Sequence, residues 1–134
     1  METKTHPLPA AYKLPRTLSE VPGDIAVDCL RRIASPYCRA DDETVLRACR
    51  GRIALKHLKS CDVAMSRNLA QRKQNHAIND LDDLDKFNRL CRKYEHLICW
   101  QDKLFNIALE DGDHHTRDML TEYLEQQAVG GKKK

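Results

Sequence analysis

From Pro36 to the C-terminus the chain contains no proline, and between Pro36 and Gly112 its one glycine is Gly51. A stretch that lacks the two strongest breakers of regular structure, in a chain with 32% charged residues, suits helices and not the turn-rich pattern of a β-sandwich. The expected fold is all-α. With 134 residues the chain makes one domain, and one Trp, four Tyr and two Phe leave its core thin and aliphatic.

The prolines gather at the other end. Pro7, Pro9, Pro15 and Pro22 cannot sit in one helix, because each ring removes a donor and pushes its predecessor to extended geometry. Residues 1–22 therefore read as an extended arm, either disordered or laid along a partner. A single helical domain follows over residues 23–128, and "GGKKK" closes a flexible basic tail over residues 129–134.

Within the domain, apolar spacing marks four helices. Asp24 is expected to cap a short first helix carrying Ile25, Cys29, Leu30 and Ile33, stopped by Pro36. Asp41, Asp42 and Glu43 place acids at the positive end of a long second helix, about 42–73, with Val45, Cys49, Ile53, Leu58, Cys61, Met65 and Leu69 mostly three or four apart. The polar stretch "AQRKQNHAIND" supplies turn chemistry near His76. A third helix, about 81–110, carries the strongest stripe: Leu84, Phe87, Cys91, Tyr94, Ile98, Gln101, Phe105 and Ala108. Leu90, Leu97 and Leu104 widen that stripe by recurring every seven residues, more than one neighbouring helix can cover, so this edge is expected to meet a partner. Asp111-Gly112-Asp113 ends the helix, and Asp113 caps a last short helix with Met119, Leu120, Tyr123 and Leu124. The two long helices are expected to form an antiparallel hairpin with short flanking helices.

Six cysteines sit on this frame. Cys49 and Cys61 enclose eleven residues of continuous helix, so they stand roughly 18 Å apart, well past the ~7 Å reach of a disulfide. Across a hairpin, facing residues share one midpoint; Cys61 with Cys91 gives residue 76 and Cys49 with Cys99 gives residue 74, both inside the polar stretch. These pairs are disulfide candidates, as is Cys29 with Cys38 across the Pro36 break. The alternative is that the thiols are small core side chains.

Charge divides the chain. Residues 44–79 hold Arg47, Arg50, Arg52, Lys56, Lys59, Arg67, Arg72 and Lys73 against Asp62 alone, whereas residues 80–125 hold twelve acids against six bases. Side by side the two halves attract, although exposed pairs contribute only about 0–1 kcal/mol each. The basic band is also the feature that raises nucleic acid as a partner, but it lacks aromatics for base stacking.

Two cysteine pairs on a helical hairpin with an extended N-terminal arm resemble the coiled-coil-helix-coiled-coil-helix proteins of the mitochondrial intermembrane space. The eleven-residue gap from Cys49 to Cys61 is similar to that of the PDSW-type accessory subunits of respiratory complex I, while "CRKYEHLIC" encloses seven residues where the family usually has nine. The resemblance implies oxidative import, disulfides between helices, and a structural subunit of a membrane-attached respiratory assembly on the intermembrane-space side.

Other chemistries find no support. No two cysteines are closer than eight positions, Cys91, His96 and Cys99 do not share a face, and His114-His115 lies past the third helix, so zinc is not expected. "YEHLICWQDKL" and "GDHHTRDMLTEYL" resemble ferritin-like helices, yet the chain has no Glu-x-x-His, only Asp111-x-x-His114. Cys61 and His57 have helical spacing for a thiol nucleophile but lie along a core stripe. No stretch approaches the ~18 apolar residues of a membrane span. The expectation is a non-catalytic structural subunit without cofactor, bound to other protein subunits and peripheral to a membrane; the alternative is an RNA-contacting subunit of a ribonucleoprotein such as a mitochondrial ribosome.

Overall fold

The computed structural model describes residues 7–33, 41–74 and 79–132, with side chains to residue 128. It is all-helical, with no strand among the described residues: α1 is Gly23–Ile33, α2 Asp42–Gln74, α3 Leu81–Asp111 and α4 His114–Lys132, and two short 3-10 turns, Ala10–Tyr12 and Leu18–Glu20, precede them. The long α2 and α3 pack together as a hairpin.

The helix starts follow the capping chemistry. The Asp41 carboxylate accepts from the Thr44 amide at 2.7 Å, Asp80 from Asp83 at 2.9 Å, and Asp113 from Thr116 at 2.8 Å. α1 instead begins at Gly23, which places Asp24 inside its first turn. Arg72 and Lys73 close α2 at its negative end. α4 is longer than the short helix expected and continues through residues 129–132, so the tail starts later than its glycines suggested; residues 133–134 lie outside the described residues.

α2 is the axis of the molecule. Its buried residues, Val45, Ala48, Cys49, Ile53, Ala54, Leu55, Leu58 and Cys61, point in several directions because α1, α3, α4 and the arm all pack on it. At its N-terminal half the approach to α3 is limited by backbone: a Cβ on Gly51 would overlap the Gly112 amide, and one on Gly112 would meet the Ala108 carbonyl and Thr116. Glycine at both positions lets the base of the hairpin close.

The register differs from the one read from the cysteines. The Cys61 thiol donates to the Leu97 carbonyl at 3.4 Å and the Asn68 amide to the Leu90 carbonyl at 3.0 Å, which puts the midpoint at residue 79. Cys91 is thereby about 9 Å along α3 from the point that Cys61 faces. Cys49 lies beside Gly51, which meets Gly112, so Cys99 is displaced by about 20 Å. Cys49, Cys61, Cys91 and Cys99 are free thiols, as is Cys29, whereas Cys38 lies outside the described residues together with the proposed Cys29–Cys38 pair and the turn at His76. Cys29 makes its thiol contact with Cys49, across α1 and α2.

The described part of the arm lies on the molecule's own helices. Tyr12, Leu14 and Val21 are buried in the core. A proline-rich segment cannot pair its backbone in a ladder, so its carbonyls need other donors. Arg50 donates to Pro15 O at 2.5 Å, Trp100 Nε1–H to Pro7 O at 3.0 Å, and His57 Nε2 sits 3.1 Å from Lys13 O. The Tyr12 ring lies between the His57 and Trp100 rings, at centroid distances of 5.7 and 6.0 Å.

Candidate interaction surface

The thiols are core groups. Cys29, Cys49 and Cys61 are fully buried, and burial pushes Cys29 up to about 12, Cys61 up to about 11, and Cys49 upward as well. All three are neutral at physiological pH and unsuited to nucleophilic attack. His57, whose basicity burial lowers, faces the arm carbonyl, while Cys61 one turn away faces α3. No cluster of three or more His, Cys, Asp or Glu able to hold a metal occurs among the described residues; Cys91, His96 and Cys99 are each half-buried, and His114 and His115 open α4.

Buried polar groups pin the helices to one another. Arg52 reaches Asp28 on α1 at 2.7 Å, Thr116 on α4 at 3.0 Å and Asp113, which caps α4, at 3.7 Å, so one guanidinium ties α1 and the start of α4 to α2. It holds the Asp28 carboxyl down at about 2, with help from Arg32 at 3.0 Å. Asp62, the lone acid of the basic band, accepts from Gln101 at 2.6 Å and from the Tyr123 hydroxyl, which joins α2 to α3 and α4.

Half of the basic band, four of its eight cations, is used within the fold. Arg72 stacks over Tyr94 at 4.2 Å, Lys59 lies over Tyr123 at 5.4 Å, Arg50 holds the arm and Arg52 the helix junction. Aromatic faces, a carbonyl and, for Arg52, Asp28 and Asp113 thus answer these cations, and of those two acids only Asp113 belongs to the acidic half at residues 80–125. Of the exposed remainder, Lys56 and Arg67 share a side of α2 while Lys73 lies about 100° and Arg47 about 180° from Lys56, which gives no continuous phosphate track.

The leucine edge of α3 is interior. Leu97 is 1% exposed and Leu104 is fully buried, both against α2, and Leu90 is half-buried with its carbonyl bound by Asn68. The stripe's other edge is the one left in solvent: Ile98 is 43% exposed, with Leu84 and Leu109 close to that value. Beside Ile98 a groove of about 800 Å³ runs between α2, α3 and α4, floored by Leu58 and Phe105 and flanked by Leu124, itself 44% exposed. Asp62, Glu95 and Asp102 supply its carboxylates, and Cys99 and Gln101 complete the wall.

No protein-family model, curated protein or solved structure matches this chain.

The signal that would have located the groove was present but ambiguous. Ile98 and Phe105 belong to the wide stripe read from the sequence, and Glu95 and Asp102 recur at the same seven-residue spacing. Which edge of that stripe meets α2 depends on how the hairpin packs, and the cysteine spacings do not report it.

Proposed function

We propose that this protein is a non-catalytic structural subunit of a larger assembly, held in place by the acid-rimmed groove. One observation carries this: Ile98 and Leu124 stay exposed beside a groove floored by Leu58 and Phe105 and rimmed by Asp62, Glu95 and Asp102. The neutral, buried thiols and the use of half of the basic band within the fold support a packing role over a nucleophilic or RNA-binding one. As part of the same proposal we place it in a mitochondrial respiratory-chain assembly, such as complex I, on the intermembrane-space side; support for this comes from the cysteine-spacing resemblance alone. The proposed placement is peripheral to a membrane; no helix among the described residues is long and apolar enough to cross one.

Native electrophoresis of cell extracts tests the subunit role. The chain should migrate in a particle far larger than 15.4 kDa, and Ile98→Asp with Leu124→Asp should release it while its helical circular dichroism persists. Migration as a free monomer would refute it. Organelle fractionation with protease protection tests the placement separately, and a chain found wholly outside mitochondria would remove it. An RNA-contacting role would instead show as binding that weakens steeply with salt.

A further inference from the structure

We infer that the groove receives a cationic amphipathic helix of a protein partner, with basic side chains about seven residues apart. This rests on the groove being a docking surface and names the chemistry that fills it.

The α3 wall is a single helical stripe. Glu95, Ile98, Asp102 and Phe105 follow one another at spacings of three, four and three, so all four project to one side, and Leu109, outside the groove, continues the same face. Acid and apolar residues alternate along it: Glu95 and Asp102 are seven apart, and so are Ile98 and Phe105. The two carboxylates stand about 10 Å apart along the axis, one heptad of a helix lying nearly parallel to α3. Leu58 and Asp62 on α2 repeat the apolar and acidic pair on the opposite wall, and Leu124 of α4 limits the groove sideways.

No basic side chain lines this groove, although the whole chain carries a net charge of +3. The local field therefore has the opposite sign to the overall charge, and an anionic surface or segment would be repelled where a cationic one is drawn in. An extended peptide is a poor occupant, because among the described residues there is no strand edge to extend it by. A helix satisfies its own backbone and needs only the apolar floor and a charged rim. From Glu95 to Phe105 the α3 lining is about 15 Å long, and with Leu109 beyond it the face reaches about 21 Å, so a helix of roughly fourteen residues covers the groove and the turn next to it. Arginine suits the rim better than lysine, since its fork can bind a carboxylate in two places while its stem covers apolar surface.

The test uses the full chain and a synthetic, end-capped fourteen-residue helix of leucine, alanine and arginine with arginines seven apart beside a leucine face. The control peptide has the same composition in scrambled order. Two readouts are taken: fluorescence anisotropy of the labelled peptide, and the alkylation rates of Cys99, which lines the groove, and Cys91, which does not. The ordered peptide should bind at least about tenfold more tightly than the scrambled one, should slow alkylation of Cys99 and leave Cys91 unchanged, and should weaken about tenfold or more with the Glu95→Lys, Asp102→Lys variant. Equal binding of both peptides, or binding without protection of Cys99, would overturn the inference. So would salt-sensitive self-association of the chain that protects Cys99, which would identify the occupant as a second copy. The two proposals fail separately. If the charge-reversed variant stays in the native particle, the occupant's chemistry is wrong and the subunit role stands; if the wild-type chain runs as a monomer yet binds the peptide with Cys99 protected, the groove stands and the subunit role falls.

Discussion

α2 and α3 are almost equally long, yet they meet their surroundings in opposite ways. α2 is covered on several sides and shows no dominant stripe; α3 has a clear stripe and only one edge of it is covered. A strong periodicity thus marks a helix that sits at the margin of a fold with a face to spare, and a weak one marks the helix at the centre. Neither pattern tells which edge of a wide stripe is buried.

The sharpest way to break this contrast is a pair of adjacent substitutions on α3. Leu97→Asp places a charge in a site that is 1% exposed and should destabilise the fold by about 4 kcal/mol or more, enough to abolish cooperative urea unfolding in so small a domain. Ile98→Asp, one residue on, should change stability by no more than about 0.5 kcal/mol. Similar midpoints for the two variants would show that the covered edge has been misplaced. Next in size is Gly51→Ala, where the new methyl group meets the Gly112 backbone; about 2–3 kcal/mol should be lost, read from the same unfolding curves. A neutral result would mean that the helices do not touch there.

The covering of α2 can be probed through the arm. Trp100→Phe keeps an aromatic side chain, though a smaller one, removes the donor to Pro7 O and should cost about 1 kcal/mol or more, with faster proteolysis before residue 22. Smallest is a pH effect at the closed end of α2. The Arg52 hydrogen bond, with that of Arg32, holds the Asp28 carboxyl at about 2, below its unfolded value near 3.8, so its contribution is complete above pH 4 and disappears as pH falls from about 4 to 2. Asp28→Asn should flatten the fall in melting temperature across that window, and an unchanged profile would dissociate Asp28 from it.

Much of the frame was legible because its causes are local. Asp41, Asp80 and Asp113 cap helices by bonding amides three residues away, and Gly112 ends α3 where the sequence placed its stop. What was not legible depended on contacts distant in sequence. Tyr12 reaches His57 and Trp100, which no pattern within residues 1–22 announces. The cysteine midpoints agreed with each other at residues 74 and 76, but nothing tied them to the packing, and Asn68 with Leu90 and Cys61 with Leu97 place the midpoint at 79 instead. That shift of a few residues turned Leu97 and Leu104 inward and left Ile98 beside the groove. Gly51 lay in the middle of a helix with no local reason to be glycine; its reason is Gly112 on the far side of the hairpin.

Site-resolved alkylation of the native chain bears most directly on that register. Cys91 and Cys99, both half-buried on α3, should react under native conditions, while Cys29, Cys49 and Cys61 react only once the chain is unfolded. A bond recovered between Cys61 and Cys91, or a Cys61 that reacts as readily as Cys99, would contradict the packing of Cys61 against Leu97 on which the exposed face of α3 depends.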